Sequence, residues 1–171
     1  DGIDRVITDL RGNGGGVFIE GLRIAELFVP EGKALLQTVR EGKPAQRFVS
    51  SNAKPLEITA VVLMNERTAS SAEALITALV TNTNTRIVGQ KSFGKATMDK
   101  TFKLANNMRV RFIVGPMYTA TGQSWHSRGL AQTIEVAGKQ EDFERWSRVP
   151  DNRRMQADRQ LRSAWQMLRK R

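Results

Sequence analysis

Two polar turns, each set after an apolar run, hold residue types that can do chemistry. The first is Asp9-Leu10-Arg11-Gly12-Asn13-Gly14-Gly15-Gly16. Glycines at this density let backbone N–H groups turn outward and approach a ligand closely, an arrangement that holds phosphate or an oxyanion. No Gly-Lys-Ser or Gly-Lys-Thr follows, so this is not the usual phosphate loop. The second turn runs from Asn65 to Glu73 and offers adjacent hydroxyls at Ser70 and Ser71. A serine at a helix entrance sits where developing negative charge is favoured. It becomes a nucleophile only with a base within roughly 3 Å. The Gly-x-Ser-x-Gly elbow is absent, and the one histidine, His126, stands alone among turn residues, which makes a Ser-His pair the weaker option. Plain structure accounts for the same residues: glycine turns connect elements, and serines cap helices.

A third segment, Phe93-Gly94-Lys95, gives the pattern its specificity. The chain resembles the carboxyl-terminal-processing peptidases, or tail-specific proteases, whose Asp-Leu-Arg-x-Asn-x-Gly-Gly signature matches Asp9, Leu10, Arg11, Asn13, Gly15 and Gly16. Their nucleophile turn resembles Thr68-Ala69-Ser70-Ser71-Ala72-Glu73. Their basic segment resembles Phe93-Gly94-Lys95, and the offset between Ser70 and Lys95 agrees with theirs. The likeness runs from Asp1 to about Val136 and closes with Tyr118 to Ser124 and Gly129 to Val136.

The resemblance implies an α/β fold with a crotonase-like core and a Ser-Lys dyad. Ser70 would be the nucleophile and Lys95 the base, with amides of Gly15 or Gly16 and of Ser71 as the oxyanion hole. It implies acyl-enzyme cleavage of unfolded or carboxyl-terminal protein segments without metal or cofactor. It also implies a homo-oligomer, a PDZ region elsewhere in the full-length protein, and a periplasmic or envelope location in a bacterium. A lysine acts as a base near neutral pH only where its ammonium is disfavoured, ordinarily by desolvation. Phe93, Met98 and the helix after Ser70 are the expected dry surroundings. Four positions depart from the family pattern. Ser71 replaces an alanine, Gln132-Thr133 replaces Pro-Asp, and Asp99 stands where an orienting glutamine is usual. A carboxylate beside Lys95 favours its charged form, so Asp99 either points elsewhere, weakens activity or has taken over the orienting role. The rival from another class is a catalytically silent relative that binds peptides or assembles with partners.

These groups need elements to position them. Ile3 to Leu10 reads as a buried strand, followed by a helix with Ile19, Leu22, Ile24, Ala25, Leu27 and Phe28 on its apolar side, ended by Pro30 and Gly32. Ala34 to Arg40 and Gln46 to Val49 read as a hairpin. Ile58 to Met64 is a nearly continuous apolar run, the mark of a strand covered on both faces. A helix begins near Ser70 or Ser71, then come a short strand at Ile87 and Val88 and alternating strands over Thr97 to Leu104 and Met108 to Met117, with Asn106 and Asn107 at the bend. This order predicts a layered α/β domain over 1–137. From 138 to 171 the composition predicts a basic helical tail, with Leu161, Ala164, Trp165 and Leu168 as a narrow apolar face that docks on the parent domain or a partner.

With 171 residues, 40% of them apolar, one domain plus an appendage is the expected organisation. Zero cysteines remove disulfides and a thiol nucleophile without fixing the compartment. The chain opens with Asp1 inside an apolar run, which reads as a processed or excised piece whose upstream segments, including any signal peptide, lie elsewhere. The net charge of +10, much of it in the tail, suits an anionic partner such as nucleic acid or a phospholipid surface, although a solvated basic face is the simpler account. Nucleic acid is the less favoured partner, because no strand interleaves aromatic and basic residues as a base-stacking platform does. No carboxylate or histidine spacing points to a metal.

Overall fold

The computed structural model describes residues 2–138 and 140–169. Asp1, and the tail's Lys139, Lys170 and Arg171, lie outside the described residues. In chain order the elements are β1 (Arg5–Asp9), α1 (Phe18–Glu26), β2 (Ala34–Thr38), β3 (Gln46–Val49), β4 (Thr59–Met64), α2 (Ser71–Asn82), β5 (Arg86–Gly89), β6 (Thr97–Lys103), β7 (Arg109–Thr119), β8 (Ile134–Glu135), α3 (Gln140–Ser147), α4 (Asp151–Ala157) and α5 (Arg159–Arg169). The strands form a parallel sheet ordered β1-β4-β5-β8 and an antiparallel sheet ordered β3-β2-β7-β6.

The apolar run of β4 is explained by its place. It lies inside the parallel sheet, and its side chains alternate between two cores. Val62 and Met64 join Leu22, Leu75, Ile76 and Leu79 of α1 and α2, together with Leu36 and Met117 of the antiparallel sheet. Val61 and Leu63 face the other way, with Val88, onto Ala164, Met167 and Leu168 of α5. Helix α2 is buried from Ser71 to Leu79 because it lies between the two sheets. This leaves its N-terminus, at the carboxyl end of β4, as the part that can face a ligand.

The apolar face of α5 differs from the sequence pattern. Ala164 and Leu168 are buried, but Trp165 is 45% exposed and Met167 takes its place. The buried positions Gln160, Ala164, Met167 and Leu168 follow the 3.6-residue period along a stripe rotated from the expected one. Burying Met167 and Leu168 is worth roughly 1.5–3 kcal/mol each, which seals α5 to the sheet as one of its covering layers. Short strand β8, parallel to β5, was not anticipated; two residues are too few to show a period.

Candidate active site

Asn65 and Thr68, both buried, build the turn between β4 and α2. The Asn65 amide donates to Thr68 Oγ1 at 3.0 Å, and Thr68 Oγ1 donates to the Leu10 carbonyl at 2.8 Å, so the turn is tied to the end of β1. The chain then enters α2 through Ser70 at φ 58° and ψ −121°. A non-glycine residue held there costs about 1–3 kcal/mol and persists only where its surroundings impose it. Ser71, one step on, is buried in the first turn of the helix.

The glycine turn lies against this entrance. The Gly12 amide donates to Asn65 Oδ1 and the Ala69 amide to the Asn13 carbonyl, each at 2.9 Å. Gly15 has φ +95°, and a Cβ there would stand 2.8 Å from both the Ala69 carbonyl oxygen and Ser70 Cβ. Only glycine allows that approach. The Gly15 amide itself donates to Asn13 Oδ1 at 2.9 Å, whereas the amides of Gly16 and Ser71 have no acceptor among the described residues.

Behind the entrance, Glu73 is fully buried and accepts four hydrogen bonds. Oε2 takes the amides of Ser70 at 2.9 Å and Lys95 at 2.8 Å. Oε1 takes the Gly94 amide at 2.7 Å and the Ser92 hydroxyl at 2.5 Å. Ser92 Oγ in turn accepts the Leu130 amide at 2.7 Å. Neither Glu73 nor Ser92 was assigned a role from the sequence, although Ser70-x-x-Glu73 has the spacing of a capping box.

The Lys95 side chain is 29% exposed, and its Nζ donates to Asp99 Oδ2 at 2.5 Å. Arg111, reaching over from β7, meets the same oxygen at 2.5 Å. The bond from Lys95 is the leading cause that holds the Asp99 carboxyl below its ordinary pKa; burial opposes it, and the charges of Lys95 and Arg111 add to it. The pairing of β6 with β7 shifts register between Met98 and Asp99, where β7 carries Val114 as an extra residue, and Thr97, Met98 and Asp99 all line one cavity of about 220 Å³. Ser70, Gly16, Val17, Phe18 and Arg111 line it too. The dry surroundings expected for Lys95 are therefore not what the fold builds. Phe93 is 65% exposed, and Asp99 points at Lys95 rather than away from it. His126 is exposed and its Nδ1 accepts the Ala96 amide at 3.3 Å, with no bond to Ser70.

Arg11, whose place in the glycine turn gave no hint of its partners, runs to the opposite side. Its guanidinium binds both oxygens of Asp9, both oxygens of Asp158, and Gln160 Oε1 at 3.0 Å. Burial alone would lower its pKa, but the bonds and charges of Asp9 and Asp158 outweigh that and leave it raised. A larger cavity of about 610 Å³ opens where Arg5, Thr59 and Arg86 begin their strands. It holds none of the groups above and lies at the amino end of the sheet, away from where α/β sheets ordinarily bind ligands.

The parallel sheet thus presents, at its carboxyl end, a strained serine beside a glycine turn and a lysine whose backbone shares the Glu73 carboxylate with it, and comparison with known proteins gives the family. Residues 1–136 match the model of Peptidase family S41, and the chain belongs to that family. It is 32% identical over 132 residues to the carboxy-terminal processing protease CtpA of Bacillus subtilis strain 168, covering 76% of this chain and 28% of that protein. It is 33% identical over 131 residues to the chloroplastic carboxyl-terminal-processing peptidase 1 of Arabidopsis thaliana, covering 75% and 27%. Among solved structures, the photosystem II D1 C-terminal processing protease superposes with a TM-score of 0.68 at 25% identity, over 78% of this chain and 34% of that one. The chain thus spans about a third or less of the length of these relatives.

Proposed function

We propose that this chain is the catalytic core of a serine endopeptidase that cleaves unfolded or carboxyl-terminal protein segments through an acyl-enzyme. Ser70 is the nucleophile, Lys95 the general base and Asp99 the residue that orients Lys95. Ser70 Oγ attacks the peptide carbonyl carbon while its proton passes to Lys95 Nζ, and the amides of Gly16 and Ser71 receive the oxyanion. Gly15 serves by its close approach, since its own amide is engaged by Asn13. Lys95 then gives the proton to the leaving amine, which departs, and Lys95 Nζ, neutral again, takes a proton from the water that hydrolyses the acyl ester. Lys95 must be uncharged for the first step. Asp99 keeps Arg111 on the same oxygen as Lys95 loses its charge, so the carboxylate is not left unpaired.

The observation that carries this reading is the shared acceptor in Glu73, which holds the backbones of Ser70 and Lys95 together beside a cavity lined by Ser70 and Asp99. The test is cleavage of casein and of unstructured peptides, with fluorophosphonate labelling beside it. Ser70→Ala and Lys95→Ala should each abolish turnover, Ser71→Ala should retain it, and labelling of Ser70 should depend on Lys95. Turnover that survives Ser70→Ala removes the assignment.

The Lys95–Asp99 pair also favours a second reading, a relative that binds peptides without cutting them. Peptide binding without Ser70-dependent cleavage of the bound peptide would select it. The first reading further takes the fold as crotonase-like, 1–137 as the peptidase core and 138–171 as its tail. It places the protein in a bacterial periplasm or envelope, in keeping with the family and its bacterial relatives. A PDZ region, a homo-oligomer and contact of the basic tail with membrane are parts of the same proposal.

A further inference from the structure

The side chain of Arg11 runs from the glycine turn away from the site, and what it meets lies at the far end of the chain. Its side chain is 3% exposed and that of Asp158 is fully buried. The two form a fork-to-fork pair, Nη1 to Oδ1 at 3.1 Å and Nη2 to Oδ2 at 2.6 Å. Such planar two-point pairing fixes orientation as well as distance. Asp158 is itself immobilised: its Oδ1 accepts the Leu161 amide at 3.0 Å and its carbonyl accepts the Arg162 amide at 3.0 Å, which places it at the start of α5. Gln160 binds Arg11 through Oε1 and the Val136 carbonyl through Nε2 at 2.8 Å. Trp146 of α3 lies over the guanidinium, 5.8 Å from Arg11 Cζ to the ring centroid.

From Arg11 the linkage continues through backbone. Gly12 binds Asn65 Oδ1, Asn13 accepts the Ala69 amide, and Gly15 touches Ala69 and Ser70. These contacts place the Gly16 amide beside the serine. Both tail residues lie beyond the 1–136 segment that matches the family model.

We propose that the C-terminal helical segment is a positioning element of the site: Asp158 and Gln160 hold Arg11, and through it the glycine turn, in the arrangement that faces Ser70. Its catalytic consequence rests on the peptidase reading; its structural content does not.

The test uses the full chain with Asp158→Asn, which keeps an acceptor for the Leu161 amide, and Arg11→Lys, which keeps the charge and leaves the tail untouched. Amide hydrogen exchange is followed at Gly12, Gly15 and Ala69, with Val61 to Leu63 of β4 as the reference. Each single variant should speed exchange at the three turn amides by about tenfold or more while β4 keeps its protection. The double variant should exceed the larger single by less than about twofold, because both changes break one linkage. Unchanged turn exchange, or an equal rise in β4, overturns the proposal. In turnover assays the same variants should lower kcat by about tenfold or more with KM within about threefold, as loss of positioning does. A loosened turn with unchanged kcat overturns the positioning role. If the unaltered chain shows no Ser70-dependent cleavage, the peptidase reading fails by itself, and the exchange measurement still decides the linkage.

Discussion

The backbone amides of Ser70 and Lys95 donate to the same oxygen, Oε2 of the buried Glu73, at 2.9 and 2.8 Å. The entrance of α2 and the turn before β6 are thereby held within the reach of one carboxylate. The geometry between hydroxyl and amine is set first by backbone, and the side chains swing from fixed roots. In the peptidase reading, that suits a site whose amine alternates between a carboxylate partner and a serine.

Glu73→Gln tests this anchor. An amide side chain replaces one acceptor oxygen with a donor, so two of the four buried donors lose their partner whichever way it turns. Each orphaned donor costs about 1–3 kcal/mol, and the expected loss of stability is about 2–5 kcal/mol by urea unfolding. Glu20→Gln, which removes an exposed pair with Arg23, should cost less than about 1 kcal/mol. A loss below about 1 kcal/mol at Glu73 would show that the carboxylate is not the anchor.

The sequence carries the parts of this arrangement that are local. The apolar run of β4, the period of α2 and the glycine-rich turn after β1 are each legible from neighbouring residues. What pairs across the fold is not. Nothing near Arg11 announces Asp158, because an ion pair that joins the two ends of a chain leaves no spacing to read. Asp99 was visible as a departure from a family pattern, but it meets Lys95 beside a register shift between β6 and β7 that alternation cannot show. Trp165 fits a helical stripe on paper, and the stripe that docks is rotated because Asp158 and Gln160 fix where α5 begins.

Asp99 should leave a signature in pH dependence. Its pKa in the folded chain lies below its ordinary value of 3.8, chiefly through the bond from Lys95. The native state therefore prefers the ionised carboxyl. That contribution to stability is present above the ordinary value and is lost as pH falls through the depressed one. Urea unfolding of the unaltered chain and Asp99→Asn across acidic pH should show an advantage of the unaltered chain that is steady at neutral pH and shrinks below 3.8. An advantage independent of pH would assign the difference to packing.

Ser70 carries strain that its hydroxyl does not require. Ser70→Ala and Ser70→Gly both delete the hydroxyl, but alanine keeps the penalty of φ 58° and glycine does not. The glycine variant should be more stable than the alanine variant by about 1 kcal/mol, after the extra freedom that glycine gives the unfolded chain. Both should lack cleavage. Equal stabilities would mean that the backbone at this position is not strained.

Gly15 and Gly16 are neighbours with opposite tolerances, and the contrast separates space from amide donation. A methyl at Gly15 would press on the Ala69 carbonyl and Ser70 Cβ, both held in place by Asn13 and Glu73, while a methyl at Gly16 meets nothing within 4 Å. For Gly15→Ala the turn must retreat from the helix entrance, and the Gly16 amide goes with it. The expected result is a loss of about 1–3 kcal/mol of stability and, if that amide receives the oxyanion, a fall in kcat of about a hundredfold. Gly16→Ala keeps its amide and should change stability by less than about 0.5 kcal/mol. Unfolding and turnover of the two variants side by side decide the matter: similar losses at both positions would mean that the glycine turn is merely flexible, and that its close approach to Ser70 does nothing for the chemistry.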